Sequence, residues 1–99
     1  MTLQEREKEY ECLMEAYASA LYRLIEQSKT EPIDPNTPDI SKQLLLHNYR
    51  KYLLLLDTID ADNRHIPQQL TWHLACVAVK CNMTEINAIR EVINDYGRN

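Results

Sequence analysis

The residues best suited to bind a metal ion are one histidine and three cysteines. His73 and Cys76 stand three positions apart, Cys81 follows five positions later, and Cys12 lies far away near the start of the sequence. Two side chains at that spacing can share a metal ion on a helix. However, zinc-binding sequences usually contain closely spaced pairs of ligands, and this chain has no Cys-x-x-Cys pair. We therefore expect three free, mostly buried thiols and no metal ion.

Three aspartates crowd one short segment and could suggest a calcium-binding loop. Such a loop places oxygen ligands at alternate positions and a glycine at the sixth. Counted from Asp60, the fifth position is Arg64 and the sixth is His65, and the count from Asp57 fails sooner. Together with Asp62, these residues are typical of a helix exit and turn. An acidic rim facing a basic partner is the alternative.

No group of residues has the pattern of a catalytic site. Nucleophilic catalysis needs a serine or cysteine beside a base and an oxyanion site. Ser19, Ser28 and Ser41 fall on polar helical positions or helix boundaries, and no glycine-bearing turn surrounds them. The many paired carboxylates are best explained as solvated helix faces. We therefore expect a protein that is not an enzyme and uses no cofactor.

The composition indicates one all-α domain. The chain has 99 residues, of which 44% are hydrophobic and one is glycine. A chain this short cannot divide its apolar residues between two cores, so we expect residues 1–99 to form a single domain. Glycine is the usual supplier of positive φ angles, and its near absence argues against a β-rich fold and a glycine-rich nucleotide loop.

The charge predicts a protein that does not bind nucleic acid directly. Eleven basic side chains stand against 15 acidic ones, for a net charge of −4, and the basic residues are scattered. An acidic chain without a basic face repels phosphate backbones. No apolar run is long enough for a membrane span, and the charged segment from Glu5 to Glu9 is unlike a signal peptide. With an odd number of cysteines, these features predict a cytoplasmic protein away from the membrane.

The first helix and the segment after it are clearly marked. Thr2 and Glu5 have the spacing of a capping box, and apolar side chains then recur every three or four positions. This pattern predicts one long amphipathic helix over residues 2–28. Three prolines within residues 31–39 cannot continue a helix, so that segment is predicted to be a linker.

Three further helices are predicted. Thr37 and Pro38 have the pattern of an N-cap followed by the first helical residue, Pro67 is predicted to occupy the first position of the next helix, and Thr84 is predicted to cap the last one. Gly97 stands where a left-handed C-cap would fall. The sequence therefore predicts a small bundle of about four helices, with a proline-rich linker after the first and a C-terminal hairpin made of the last two.

The second helix carries more apolar surface than a small bundle can enclose. Four consecutive leucines, Leu53 to Leu56, cover every direction around a helix, so we expect part of them to face a partner. Trp72 lies off the apolar stripe of the third helix and is the strongest candidate for an exposed anchor. Tyrosines tolerate half-wet positions, with a core position as the alternative for each. The predicted partner-binding residues are Trp72, Tyr49, Tyr52, Leu53, Leu56, Arg50 and Lys51.

The step from Ile66 to Pro67 is a second candidate contact. It lies at the end of a polar segment and joins a bulky apolar side chain to a proline. Because such bonds exchange slowly between cis and trans forms, the step offers a host prolyl isomerase a substrate-like pair to bind. The alternative is that Pro67 only starts the third helix in the trans form.

In length, acidity, helical make-up and lack of a catalytic signature, the whole chain resembles the small host-takeover proteins of lambdoid phages. Within that group it is most similar to the anti-RecBCD proteins of the Abc2 type. The resemblance implies a protein of the host cytoplasm that binds the RecBCD helicase-nuclease and alters its degradation of DNA ends, which favours phage recombination. It concerns general character over all 99 residues and assigns no residue a role.

A second resemblance is local. The segment Asn48-Tyr49-Arg50-Lys51-Tyr52 is followed, nineteen positions after Asn48, by Pro67-Gln68-Gln69-Leu70, and Glu85-Ile86-Asn87 comes later. These segments are similar to the flagellar regulator FlaF, although that family usually has a leucine-tryptophan where Lys51-Tyr52 stands here. The alternative function that this resemblance implies is a flagellin-binding chaperone.

Overall fold

The computed structural model describes residues 2–97, and these form four α-helices and no strand. The helices are α1 (Leu3–Ser28), α2 (Ile40–Thr58), α3 (Gln68–Lys80) and α4 (Met83–Gly97). Helices α1, α2 and α3 pack against one another, and α4 packs on α2. The predicted all-α class with about four helices is confirmed. Among residues 2–97, every helix falls short of the combined length and apolar character that crossing a membrane requires.

The first helix begins as its sequence predicts. The Glu5 backbone N–H donates to the Thr2 hydroxyl at 3.2 Å, and the Thr2 N–H donates to the Glu5 carboxylate at 3.4 Å. This reciprocal pair is the predicted capping box, which satisfies two N–H groups that no helical carbonyl can reach. The prediction of a helix ending near residue 28 is also confirmed, since α1 ends at Ser28.

The second helix begins later than predicted. Its N-cap is Asp39, whose carboxylate accepts hydrogen bonds from the Ser41 N–H at 2.9 Å and the Lys42 N–H at 3.4 Å. The prediction that Thr37 caps this helix was therefore wrong. A carboxylate satisfies two free N–H groups at once and carries the negative charge that a helix N-terminus favours.

The last helix also takes a different cap from the predicted one. The Asn82 side chain accepts from the Glu85 N–H at 2.9 Å, and the Glu85 carboxylate accepts from the Asn82 N–H at 3.1 Å. Thr84 lies inside the helix, so the prediction of its capping role was wrong. Gly97 ends the helix without a positive φ angle. The left-handed conformation predicted there occurs instead at Asp60, in the turn after α2, with φ 54°.

The core lies where the second half of α1 meets α2 and α3. Its largest fully enclosed side chains include Tyr52, Leu21 and Ile25. Burying each of the aliphatic ones stabilises the fold by roughly 1.5–3 kcal/mol. The buried core side chains are Leu21, Leu24, Ile25, Leu46, Tyr52, Leu55, Leu56, Leu74, Ala75, Ala78 and Ile86.

Candidate protein-binding surface

The first half of α1 extends beyond the core. Residues 3–13 are all exposed, Met14 is half-buried, and Ala18 is the first fully buried residue of the helix. We call residues 3–17 the α1 overhang. At a rise of about 1.5 Å per residue it is roughly 22 Å long. This extension agrees with the elongated shape of the molecule, which measures 48 Å along its longest axis and 24 Å along its shortest.

One face of the α1 overhang carries a row of uncovered apolar side chains. Leu3, Tyr10, Leu13 and Tyr17 are 72%, 55%, 48% and 36% exposed. Their spacing of seven, three and four residues places them on the same side of the helix. Single apolar residues are common at protein surfaces, but several exposed on the same side of one helix are a feature of binding sites. The overhang therefore presents apolar side chains that the rest of residues 2–97 leaves exposed.

The apolar row leads into a groove between α1 and α2. Tyr17 and Ala20 form one wall, Leu44 and Leu45 form the other, and Asn48 lies between them. This α1–α2 groove encloses about 440 Å³, which is room for several side chains of a partner. Leu44 is 47% exposed on its rim.

Asn48 is a buried amide without a hydrogen-bond partner. The residue is 6% exposed, and its side chain forms no hydrogen bond with any residue between 2 and 97. Every fully buried side-chain nitrogen or oxygen in that range has a hydrogen-bond partner. Since the Asn48 amide has none, it must be accessible to solvent through the two clefts that it lines. Water in these clefts can bond the amide in the free chain, whereas sealing the amide without a partner would cost about 1–3 kcal/mol. Asn48 thus places an unused polar group at the base of an apolar groove.

Lys51, predicted from the sequence to contact a partner, is buried instead. It is 5% exposed, and its ammonium donates to the Cys81 carbonyl oxygen at 2.7 Å, just beyond the end of α3. Burial lowers the pKa of Lys51, and the nearby Cys81 thiol and Glu85 carboxylate oppose that effect. A cation is favoured at a helix C-terminus, so Lys51 ties α2 to the connection between α3 and α4.

Tyr52 and Leu56, two more of the predicted contact residues, belong to the core. Tyr52 is fully buried, and its hydroxyl donates to the Asn63 side-chain oxygen at 2.7 Å. The Asn63 amide in turn donates to the Ser28 hydroxyl at 3.1 Å, which connects α2 to the end of α1. Burial raises the pKa of Tyr52 to about 12. Leu56 is 4% exposed.

The remaining predicted contact residues reach the surface but lie on different helices. On α2, Arg50 and Leu53 are exposed, and the half-buried Tyr49 ring stacks on Tyr52 with centroids 6.1 Å apart. On α3, Trp72 is 37% exposed and meets the Tyr22 ring of α1 edge-on at 6.0 Å.

The Ile66–Pro67 step lies just before α3. Pro67 is exposed, with φ −61° and ψ 147°, and caps the helix instead of being its first residue. Ile66 is half-buried and packs against the core. The peptide bonds of residues 2–97 include no cis form. The proline is thus accessible, while the side chain before it is partly held by the fold.

The thiols and the acidic turn have ordinary surroundings. Cys12 is exposed and Cys76 and Cys81 are half-buried, so the prediction of mostly buried thiols was wrong; burial raises the pKa of the latter two. Asp62 accepts a hydrogen bond from the Arg64 N–H at 2.9 Å, and this bond together with the neighbouring His65 lowers the pKa of its carboxyl. Between residues 2 and 97, no three side chains of His, Cys, Asp or Glu are grouped to hold a metal.

The sequence reasoning missed the α1 overhang and Asn48. The signal for the overhang was the seven-residue spacing that runs from Leu3 through Tyr10 and Tyr17 to the core, although charged residues fill the turn between Leu3 and Tyr10. Asn48 begins the segment that is similar to FlaF, but nothing in the sequence indicated that its side chain is buried, because an asparagine on a predicted helix is usually solvated. Comparison with known protein families, with curated proteins and with solved structures finds no match to this chain.

Proposed function

We propose that this chain is a non-enzymatic modulator that acts by binding a larger protein through the α1 overhang and the α1–α2 groove. The observation that carries the proposal is the uncovered apolar face from Leu3 to Tyr17, which continues into a groove with an unpaired amide at its base. Exposed apolar surface of this kind is unfavourable in water and is stabilised when a partner covers it.

The partner that we propose is the host RecBCD helicase-nuclease, with the chain encoded by a phage and acting in the host cytoplasm. This choice rests on the resemblance in size, acidity and helical make-up to anti-RecBCD proteins. The function that follows is a change in how the enzyme degrades DNA ends, in favour of phage recombination. Flagellin, the partner implied by the FlaF resemblance, is the competing outcome.

The direct test is binding to purified RecBCD, followed by nuclease and unwinding assays on linear duplex DNA. We expect the chain to co-elute with the enzyme and to alter degradation. Leu13→Asp should weaken both effects by about tenfold or more, because it places a charge in the apolar row. Val92→Asp on α4 is the matched control, since Val92 is 68% exposed and lies outside the proposed surface. Absence of RecBCD binding, or binding to flagellin instead, would overturn the choice of partner.

Direct DNA binding offers a second test. With a net charge of −4, the free chain should have no measurable affinity for duplex or single-stranded DNA at physiological salt. Fluorescence anisotropy with both kinds of DNA measures this. Micromolar binding with a steep salt dependence would mean that the chain reaches DNA without the enzyme.

A further inference from the structure

The charge along the α1 overhang limits what can cover its apolar face. The segment carries five glutamates against one arginine and one lysine. Two of them, Glu7 and Glu11, share a cleft with Tyr10 and Met14 on one side of the apolar row, and the basic side chains of Arg6 and Lys80 line the same cleft. On the other side, Glu5 and Glu9 share a cleft with Leu13 and the basic side chain of Lys8. Among residues 2–97 these glutamates form no salt bridge, and the five of them outweigh the one arginine and one lysine, so the overhang keeps a net charge of −3.

This charge argues against a second copy of the chain as the covering partner. Two overhangs packed face to face would bring ten glutamates together, and like charges at an interface disfavour association. A surface with lysine or arginine on both sides of an apolar strip would instead pair with the borders while its centre covers the row.

The shape of the surface indicates a helix as the element that fits. The backbone groups of α1 and α2 are hydrogen-bonded within the helices, so the surface offers no free edge to which a strand could add. It offers a straight apolar row and a groove between two helices, into which the ridges of a third helix can pack. A partner helix of about 15 residues would span the roughly 22 Å of the overhang.

Asn48 adds a polar requirement. An all-apolar helix seated in the α1–α2 groove would remove water from one of the two clefts that the Asn48 amide lines and offer it no hydrogen bond in return, which is unfavourable. A partner side chain that can exchange hydrogen bonds with the amide removes that penalty and fixes the register of the helix, as buried asparagines do in coiled coils.

Building on the proposed function, we propose that this surface binds an amphipathic helix of the partner. That helix has an apolar stripe bordered by lysine or arginine and one polar side chain opposite Asn48. Its basic borders face the glutamates of the overhang, and its apolar stripe covers Leu3, Tyr10, Leu13 and Tyr17.

The test uses the full chain and synthetic helical peptides of about 15 residues built from leucine and lysine in an amphipathic pattern. We expect the patterned peptide to bind at least about tenfold more tightly than a scrambled peptide of the same composition. Leu13→Ser should weaken binding at least about fivefold, while Val92→Ser on α4 leaves it unchanged. Glu7→Gln with Glu11→Gln should reduce the salt dependence, and Glu91→Gln on α4 is its control. Equal binding of the scrambled peptide, or equal losses in the α1 and α4 variants, would overturn the proposal.

The role of Asn48 is tested by pairing two peptides with two proteins. One peptide carries leucine throughout its apolar stripe, and the other has one central asparagine. We expect Asn48→Leu to shift the preference toward the all-leucine peptide by about fivefold or more, as polar pairs in apolar interfaces do. An unchanged preference would remove Asn48 from the proposal.

The outcomes separate this proposal from the proposed function. If RecBCD does not bind but the patterned peptide binds as described, the helix-binding surface stands and the choice of partner fails. If RecBCD binds and the α1 variants bind it as well as the unmodified chain, the choice of partner stands, whereas the overhang as its contact and the helix-binding surface both fail. Sedimentation that shows dimers disrupted by Leu13→Ser would assign the surface to self-association and overturn the proposal.

Discussion

The two halves of helix α1 have the same apolar pattern and opposite surroundings. Leu3, Tyr10, Tyr17 and Leu24 follow one another at intervals of seven residues, yet their exposure falls from 72% at Leu3 to 6% at Leu24. The difference arises because α2 and α3 cover only the second half. The comparison teaches that periodicity identifies the apolar face of a helix. Which part of that face is buried within the fold depends on where the other helices begin and end.

Charge follows the same division. The α1 overhang holds five glutamates, whereas residues 18–28 hold one glutamate and one arginine. Acidic residues are favoured near a helix N-terminus, which explains part of the excess. The rest of the excess lies beside an apolar row that residues 2–97 leave exposed.

The largest expected difference between the two halves concerns stability. Leu21→Ala in the covered half should lower the free energy of unfolding by about 3–4 kcal/mol, because Leu21 is fully buried and the substitution leaves a cavity. Leu13→Ala in the overhang should lower it by less than about 0.5 kcal/mol. Urea denaturation followed by circular dichroism measures both. Similar losses at the two positions would mean that the overhang is packed against something in the free chain.

A pH titration sharpens the comparison through Tyr52, whose hydrogen bonds reach the covered end of α1. Burial raises the pKa of Tyr52 to about 12, above its ordinary value of 10.0, so the folded state favours the neutral phenol. Its contribution is fully present below pH 10 and is lost as the pH rises toward 12, by about 2–3 kcal/mol. Tyr52→Phe should remove this part of the alkaline decline, and Tyr10→Phe in the overhang should not. An identical decline in all three proteins would show that Tyr52 does not titrate differently on unfolding.

Trp72 tests whether the binding surface extends beyond the overhang. Its ring contacts Tyr22 in the covered half and is 37% exposed. If it is an anchor, Trp72→Ala should weaken binding to the partner by at least about 2 kcal/mol while helicity is retained. Binding to RecBCD by calorimetry and melting by circular dichroism give the two readouts. A collapse in melting temperature with unchanged binding per folded molecule would place Trp72 in the core alone.

Pro67 should give the smallest effect on stability. It is exposed and precedes α3, and alanine is compatible with a helix start, so Pro67→Ala should change the free energy of unfolding by less than about 0.5 kcal/mol. If a host prolyl isomerase binds the proposed contact at Ile66 and Pro67, the variant should lose co-purification with that enzyme and part of its activity. Retention of both would leave Pro67 with the role of preceding α3.

Much of the fold was predictable from local rules. The capping box of α1, the end of that helix and the all-α class depend on short-range hydrogen bonds and apolar spacing, and all three predictions are confirmed. The caps of α2 and α4 were misassigned because several polar residues compete at each start. At α2, Asp39 becomes the cap because its carboxylate reaches two backbone N–H groups. At α4, Asn82 becomes the cap because it exchanges hydrogen bonds with Glu85, three residues later.

The candidate surface was less predictable, because it depends on tertiary packing. Lys51 and Tyr52 look like surface residues in a sequence, and only the placement of Cys81 and Asn63 shows why a lysine and a tyrosine hydroxyl are buried in α2. Asn48 is buried for the opposite reason, since α1 passes over it without supplying a partner. The local sequence pattern cannot distinguish Lys51 and Tyr52 from Asn48, because these residues differ in which groups of other elements pack against them.

The exposed thiol of Cys12 allows the overhang to be modified selectively by thiol reagents. Cys12 lies beside Leu13 and Glu9, whereas Cys76 and Cys81 are half-buried with raised pKa values and therefore hold less reactive thiolate near neutral pH. An alkylating reagent should thus modify Cys12 first, without any engineered residue. Because nine residues place Cys12 half a turn around the helix from Leu3, its modification rate reports whether a partner reaches the Leu13 border of the overhang. A fluorophore attached there would follow assembly and release at that border in real time.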